Sequence, residues 1–193
     1  MSLFGIGGIL CFFALHSYWR VKDKGINKFF DFGKYPFKSL FSKSILSYTQ
    51  FFILLQLFGL TIFPIPKMSA NIDLPAFLFV VIGFAVCIIA RHTLSKSWTN
   101  AKDFNTVQNN LLIDKGIYKY IRHPIYLGLV LMITGAEILA HSYLIVLTPL
   151  IYLWIYRHTL REEAHLISKM KQKYENYKEK TGMFIPIFHT KFT

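Results

Sequence analysis

The sequence predicts an all-α integral membrane protein with about five transmembrane helices, and two observations carry that prediction. The chain has 193 residues, of which 53% are hydrophobic and only 17% are charged, and its apolar residues form runs about long enough to cross a bilayer. The 22 lysines and arginines are concentrated between those runs. We expect one membrane domain, with three N-terminal spans in residues 1–93 and a second half in residues 94–193.

The apolar runs give the spans in order. The first three are predicted at Leu3 to Trp19, Ile45 to Phe63 and Leu74 to Ala90. The turn Pro64-Ile65-Pro66 is expected to end the second, because proline interrupts a helix. A longer apolar block from Pro124 to Tyr156 is interrupted at Ala140-His141-Ser142. We therefore expect this block to form a helical hairpin, spans four and five.

The distribution of basic residues predicts the orientation. With five spans and the N-terminus outside, 21 of the 22 lysines and arginines fall on one face, in segments 20–43, 91–122 and 157–193. Lys67 is the exception. Cytoplasmic loops carry an excess of Lys and Arg, so we expect a multi-pass protein with a cytoplasmic C-terminus. The membrane would be the plasma or inner membrane in a prokaryote and the endoplasmic reticulum in a eukaryote.

The net charge of +12 would suggest a nucleic-acid partner in a soluble protein. Basic loops facing an anionic leaflet explain it better here, and no nucleic-acid partner is expected. Cys11 and Cys87 each lie inside an apolar run without clustered ligands, so we interpret both as packing residues and expect no metal site.

The C-terminal tail shows helical periodicity. Its apolar residues recur at spacings of three and four, at Leu166, Ile167, Met170, Tyr174 and Tyr177. This pattern predicts one amphipathic helix that ends near Gly182 and lies on the membrane surface or closes over the core.

Polar side chains in the predicted spans and at the hairpin tip also need partners. Glu137 lies four residues before His141, and we expect a structural pair at the tip. Gln50 and Gln56 in span two are expected to bond across helices.

A hairpin brings its two ends together, so the residues before span four and after span five should be neighbours on the cytoplasmic side. The first group is Gly116, Ile117, Tyr118, Arg122, His123, Pro124 and Tyr126; the second is Arg157, His158, Arg161, Glu162 and Glu163. Each residue alone has an ordinary explanation as an interfacial aromatic, a positive-inside residue or a solvated acid. Two acids beside two arginines at the mouth of a hairpin favour a binding site.

Such a cluster suits a ligand with both charge signs. The start of span four offers free N–H groups to a carboxylate or phosphate, and Glu162 or Glu163 can accept hydrogen bonds from hydroxyls or pair with an ammonium. S-adenosyl-L-methionine needs this mixture, and so does a nucleotide cofactor. These considerations alone do not separate the two.

Several motifs give a more specific indication. Gly116-Ile117-Tyr118 and the stretch from Arg122 to Gly128 resemble the G-x-Y…R-H-P-x-Y-x-G element of the isoprenylcysteine carboxyl methyltransferase family, which is related to phospholipid methyltransferases. The later E-E-x-x-L…Y-x-x-Y…I-P element is matched by Glu162, Glu163, Leu166, Tyr174, Tyr177 and Pro186. Leu94 and Trp98 resemble the family's L-G-x-x-W element. The resemblance covers residues 94–186.

The chain departs from the family pattern at two places. Ser95 stands where the family usually has a glycine, and Met170-Lys171 replace an F-G pair before the first tail tyrosine. These differences concern packing of the tail more than the cofactor pocket, and they weaken any inference about the substrate.

The resemblance implies that S-adenosylmethionine binds at the cytoplasmic interface and that a lipid-like or prenylated-cysteine carboxylate enters from the bilayer. The cofactor contacts it implies are Gly116, Ile117, Tyr118, Arg122, His123, Pro124, Tyr126, Glu162 and Glu163. Arg157 and Arg161 are our candidates for catalytic residues that hold an anionic group of the substrate.

Two alternatives stay open. Membrane sterol reductases are similar around R-H-P-x-Y-x-G and use NADPH, but they are usually longer and carry an aspartate-glutamate pair where this chain has Glu162-Glu163. A non-catalytic membrane scaffold that kept the fold is the other alternative. The methyl acceptor, the lipid chain and the oligomeric state do not follow from the sequence.

Overall fold

The computed structural model describes residues 2–24, 49–61, 63–66, 70–94 and 112–187. Within these ranges the regular elements are helices, which confirms the all-α class. The α-helices are α1 (Leu3–Lys24), α2 (residues 49–57), α3 (Asp73–Leu94), α4 (Pro124–Leu139), α5 (Thr148–Met170) and α6 (Gln172–Lys180). Short 3-10 helices at Ala70–Ile72, Gly116–Lys119 and Tyr143–Leu147 precede α3, α4 and α5.

Among the described helices, α3 is long and apolar enough to cross a membrane. Its 22 residues give a length of about 33 Å, close to the thickness of a bilayer core. Shorter apolar stretches lie at Leu3–Trp19 in α1 and at Pro124–Leu139, which is α4. The total of five spans stays a prediction. Trp98, part of the upstream motif, lies outside the described residues.

The second helix ends earlier than predicted. We expected it to reach Phe63, but helical structure stops at residue 57. Gly59 adopts a left-handed φ of 102°, its N–H bonds to the Gln56 carbonyl at 2.9 Å, and the Leu60 N–H bonds to the Leu55 carbonyl at 3.0 Å. This hydrogen-bond pattern is the Schellman motif that closes many helices at a glycine, so Gly59 rather than Pro64 ends the helix.

The predicted interruption between α4 and α5 is confirmed. The chain turns at Ala140 and His141, where His141 has a φ of 48°, and the Ser142 hydroxyl accepts a hydrogen bond from the Leu144 N–H at 3.2 Å. Because a 3-10 helix follows this cap, α5 begins only at Thr148.

The prediction of one continuous amphipathic tail helix is wrong. Helix α5 continues to Met170, the chain turns at Lys171, and α6 follows. Lys171 has a φ of 48° and occupies the position where the resembling family has glycine. The turn lets α6 bury Tyr174 and Tyr177, which are 2% and 8% exposed, so the tail covers a core instead of extending α5.

The chain forms two compact units. Unit 1 consists of Met1–Phe84 and Val130–Thr148, and unit 2 consists of Ala85–Leu129 and Pro149–Thr193. In unit 1, α4 packs closely on α3 because Gly135 has no side chain: a Cβ atom there would lie 2.4 Å from the carbonyl oxygen of Ala76.

The polar residues of unit 1 pair differently from the prediction. The expected Glu137–His141 pair is wrong, because His141 lies beyond the end of α4, where helical spacing no longer applies. Instead, Gln56 Nε2 donates to Glu137 Oε1 at 3.1 Å, which confirms that Gln56 bonds across helices. His141 Nε2 lies 3.1 Å from Asp73 Oδ1. These contacts tie the ends of α2, α3 and α4 together.

Candidate functional site

Unit 2 contains a buried ionic cluster centred on Glu163 of α5, whose side chain is 2% exposed. Arg122 Nε lies 2.7 Å from Glu163 Oε1, and His123 Nε2 lies 3.2 Å from the same oxygen. Lys178 Nζ of α6 lies 3.4 Å from Oε2. The structure thus brings the Arg-His-Pro stretch to the glutamate pair, as the sequence predicted.

The charge of Glu163 is set by these partners. Burial alone would raise the pKa of its carboxyl, but hydrogen bonds from His123 and Arg122 and the nearby guanidinium charge outweigh burial and lower the pKa to about 2. Glu163 is therefore ionised at neutral pH. Oε1 contacts Arg122 and His123, and Oε2 lies near Lys178, so we assign Glu163 a structural role.

Glu162, the neighbouring acid, has a different environment. Its side chain is 21% exposed, and Oε2 accepts a hydrogen bond from the Tyr126 hydroxyl at 3.2 Å. His123 Nδ1 lies 3.9 Å from the same oxygen. Glu162 is held in place from α4 yet keeps access to the surface, so of the two acids it is the one able to meet a ligand.

Arg122 also fixes the C-terminal segment. Its Nη1 donates to the carbonyls of Lys178, at 3.0 Å, and Thr181, at the C-terminal end of α6, where the last carbonyls have no partner within the helix. Its backbone N–H bonds to the Gly182 carbonyl at 2.8 Å, and the Gly182 N–H bonds to the Tyr120 carbonyl at 3.1 Å. Arg122 therefore joins Glu163 to the tail.

The segment before α4 forms part of the same assembly. Gly116 has a φ of 58°, and a Cβ there would lie 3.1 Å from the Thr93 side chain. The Tyr118 carbonyl accepts a hydrogen bond from the Tyr177 hydroxyl at 2.7 Å, and the Ile117 carbonyl accepts from the Tyr120 N–H at 3.1 Å. Burial raises the pKa of the Tyr118 and Tyr177 hydroxyls, so both stay protonated.

The predicted site residues thus occupy three environments. Arg122, His123 and Glu163 are buried in the cluster, whereas Tyr126 and Glu162 are partly exposed beside it. Pro124 is buried as the first residue of α4, a position that suits proline. Arg157 and Arg161 are exposed on α5, and neither forms an ion pair with the glutamates.

Sequence reasoning missed three contributors. Lys178 and Thr181 were overlooked because their role depends on how α6 folds back. Trp154 was missed although its signal was available: it lies four residues before His158, and the two rings stack with centroids 5.4 Å apart. Within the described residues, no group of three or more His, Cys, Asp and Glu side chains is arranged to hold a metal ion.

A groove of about 770 Å³ lies between the segment before α4 and α6. Its lining residues are Leu112, Asp114, Lys119, Tyr120, Lys173, Asn176, Tyr177, Lys180, Thr181 and Ile187. The volume is in the range of small-molecule sites, roughly 300–1,000 Å³. The lining offers a carboxylate, ammonium groups and aromatic rings, but none of the predicted cofactor-contacting residues is among the lining residues. The accessible Glu162 carboxylate, held beside His123 and Tyr126, is the group that suits the hydroxyls or the ammonium of S-adenosylmethionine.

Comparison with known proteins gives a consistent result. A family model described as phospholipid methyltransferase matches residues 74–174. Protein-S-isoprenylcysteine O-methyltransferase of Saccharomyces cerevisiae is 31% identical over 111 residues, which cover 56% of this chain and 46% of that protein. The protein of the same name from Schizosaccharomyces pombe is 33% identical over 82 residues, covering 42% of this chain and 35% of the relative.

A bacterial relative carries a different name. Methanethiol S-methyltransferase 1 of Bradyrhizobium diazoefficiens is 31% identical over 70 residues, which cover 36% of this chain and 24% of that protein. The chain spans about half or less of the length of these three relatives. The matches confirm the resemblance that the motifs indicated.

Proposed function

This chain belongs to the phospholipid methyltransferase family, and from that premise we propose that it is an S-adenosylmethionine-dependent membrane methyltransferase. Its acceptor would be a lipid-like or prenylated-cysteine carboxylate at the membrane interface. The observation that carries the proposal is the contact between the start of α4 and α5: the Arg-His-Pro stretch holds Glu163, and Tyr126 holds Glu162 in an accessible position.

Within this proposal the residues divide into supporting and contacting groups. Arg122 and Glu163 fix the tail and α5, while Glu162 accepts hydrogen bonds from the cofactor. His123 and Tyr126 orient Glu162. The 3-10 segment Gly116–Lys119 supplies the remaining contacts to the cofactor.

Methyl transfer to a carboxylate depends on the positioning of the two reactants more than on acid–base catalysis. S-adenosylmethionine, when bound, supplies a methyl group already activated on a sulfonium. A carboxylate acceptor is nucleophilic at neutral pH, so accepting the methyl group would require no general base from the protein. The protein's part is to align the two groups and exclude water. We assign Arg157 and Arg161, both exposed on α5, to hold the acceptor carboxylate.

A thiol is a second candidate acceptor, because the Bradyrhizobium diazoefficiens relative is named for methanethiol. A thiol must lose its proton before or during transfer. Glu162, whose Oε2 lies beside His123 and Tyr126, is the accessible carboxylate of the cluster to take that proton. The family match favours both acceptors over NADPH-dependent reduction and over a non-catalytic scaffold.

The proposal includes the five-span topology, with the N-terminus outside and the tail in the cytoplasm. Helix α3 and the apolar stretches of α1 and α4 support it. Single cysteines placed at Ser2 and Thr193 in a background without Cys11 and Cys87 should react with an impermeant maleimide from opposite sides of the membrane. Labelling of both from the same side would contradict an odd number of spans.

Activity is tested with the full chain in lipid nanodiscs and S-adenosylmethionine carrying a radiolabelled methyl group. The acceptors are a farnesylated cysteine, phosphatidylethanolamine and an alkanethiol. We expect label in the farnesylated cysteine as a base-labile methyl ester, strong loss of transfer in Glu162→Gln, and wild-type transfer in the control Glu179→Gln on the exposed face of α6. Binding of NADPH without binding or transfer from S-adenosylmethionine would contradict the proposal.

A further inference from the structure

Helix α5 presents a line of aromatic and acidic side chains beside Tyr126. Trp154, His158 and Glu162 are spaced by four residues and therefore share one helix face. The Trp154 and His158 rings stack with an interplanar angle of 13°. The Tyr126 ring stands at 84° to the His158 ring with centroids 5.9 Å apart, and its hydroxyl bonds to Glu162. We call these four residues the aromatic corner.

The exposure of the aromatic corner distinguishes it from the core of unit 2. All four of its residues are partly exposed, whereas Glu163, one residue beyond Glu162, is buried. Interfacial aromatic residues of a membrane protein are also partly exposed, but here the rings contact one another and a carboxylate is hydrogen-bonded beside them. Partial exposure of ordered rings is what a surface needs in order to receive a ligand.

The chemistry of the aromatic corner selects a cation. The faces of Trp and Tyr rings attract positive charge, most strongly where water is excluded, and the Glu162 carboxylate adds a full negative charge at one end. The Tyr126 ring, which also stacks on His123, lies nearly perpendicular to the stacked Trp154–His158 pair. Aromatic rings in two orientations thus lie beside the carboxylate, and aromatic rings are what recognise methylated onium groups. A neutral sulfur or a carboxylate would gain little from this surface.

We propose that the aromatic corner receives the positively charged, methyl-bearing sulfonium of the donor, with Trp154 and His158 as contact residues. This assignment rests on the proposed function and deepens it. It predicts selectivity: the residues of the corner should discriminate S-adenosylmethionine from S-adenosylhomocysteine, which has the same adenosine and amino-acid parts but a neutral thioether.

The test measures dissociation constants of the full chain in nanodiscs for three ligands: S-adenosylmethionine, S-adenosylhomocysteine, and sinefungin, in which an amine-bearing carbon replaces the sulfonium. Trp154→Leu should weaken binding of the two cations about 5- to 30-fold, the upper part of the range for a cation–π contact, and change S-adenosylhomocysteine binding less than about twofold. Trp154→Phe should recover part of the loss. Tyr156→Leu, 46% exposed on the same helix in the wild type, is the matched control.

Retained affinity for S-adenosylhomocysteine also shows that the variant is folded, and His158→Leu provides the same comparison if Trp154→Leu does not fold. Equal weakening for all three ligands would overturn the inference, because it would indicate packing alone. Unchanged affinity for all three would overturn it as well. Failure of the wild-type chain to bind any of the three would refute the proposed function together with this assignment.

Discussion

Glu137 of unit 1 and Glu163 of unit 2 are both buried acids on helices, 5% and 2% exposed, yet their partners differ in kind. Glu137 meets the neutral amide of Gln56 at 3.1 Å. Glu163 meets the side chains of Arg122, His123 and Lys178. Within the described residues, no lysine or arginine forms an ion pair with Glu137.

This difference indicates what each region is built to do. A single amide–carboxyl hydrogen bond inside a helical bundle contributes little, on average about 0.6 kcal/mol. An ionic cluster that joins three chain segments is costly to break, because removing one partner leaves other charges buried without compensation. Unit 1 therefore uses its acid to align helices, whereas unit 2 uses its acid to hold a site together.

The largest expected effect comes from making the same substitution at the two acids. Glu163→Gln removes the charge that balances Arg122 and should lower the free energy of unfolding by about 3–5 kcal/mol. Glu137→Gln keeps a hydrogen-bonding group of the same size and should change it by about 1 kcal/mol or less. Thermal unfolding of both variants in the same detergent compares their losses of stability. Equal losses would contradict the different roles assigned to the two acids.

Acidification should also lower the free energy of unfolding, by slightly less than the Glu163→Gln substitution. Because the pKa of Glu163 is lowered from 4.5 to about 2 in the folded protein, its stabilisation is fully present above the unfolded-state pKa and is lost as the pH falls through about 2. The linked change is about 3 kcal/mol between pH 5 and pH 2. The quantity to measure is the pH dependence of the wild type minus that of Glu163→Gln; parallel curves would contradict an ionised Glu163.

The C-terminal tail is attached to unit 2 through a close backbone contact at Gly182, which leaves no room for a larger side chain. A Cβ at Gly182 would lie 1.7 Å from the Ile185 carbonyl oxygen, so Gly182→Ala should destabilise unit 2 by about 1–3 kcal/mol and weaken cofactor binding. Gly59→Ala in unit 1 is the control: it meets nothing within 4 Å and is strained only by its φ, so it should affect stability without affecting cofactor affinity. Unchanged cofactor affinity in Gly182→Ala would place the tail outside the site.

The smallest expected effect is a gain in stability when Lys171 is replaced by glycine. Lys171 holds a left-handed φ of 48° that costs a non-glycine residue about 1 kcal/mol or more. Lys171→Gly should therefore raise the stability slightly, whereas Lys173→Gly, inside α6, should lower it by about 1 kcal/mol. Opposite signs in the same unfolding assay are the expected result, and two losses would show that the turn at Lys171 is unstrained.

The sequence predicted the elements that depend on local pattern. The apolar runs located α1, α3 and α4, and the polar interruption at residues 140–142 located the end of α4. The predicted hairpin brings Arg122 and His123 close to the glutamate pair, because the two ends of a hairpin are neighbours. Each of these inferences used periodicity or the geometry of a helix pair, which a sequence carries directly.

The remaining features depend on tertiary contacts that no local pattern encodes. The break at Lys171 was missed because leucine, isoleucine and tyrosine spacing continued through it, and burial of Tyr174 and Tyr177 overrode that periodicity. The different exposure of Glu162 and Glu163 could not be predicted either. Adjacent residues on a helix point about 100° apart, and only the packing of α4 shows which of the two is buried.

The most direct test of the account is a calorimetric titration of the purified protein with S-adenosylhomocysteine, in which Glu162→Gln is compared with Glu137→Gln. We expect saturable binding to the wild type, affinity reduced at least about tenfold in Glu162→Gln, and wild-type affinity in Glu137→Gln, because the proposed cofactor site lies in unit 2. Unchanged binding in Glu162→Gln, or no binding to the folded wild type, would contradict the assignment of the cofactor site to unit 2.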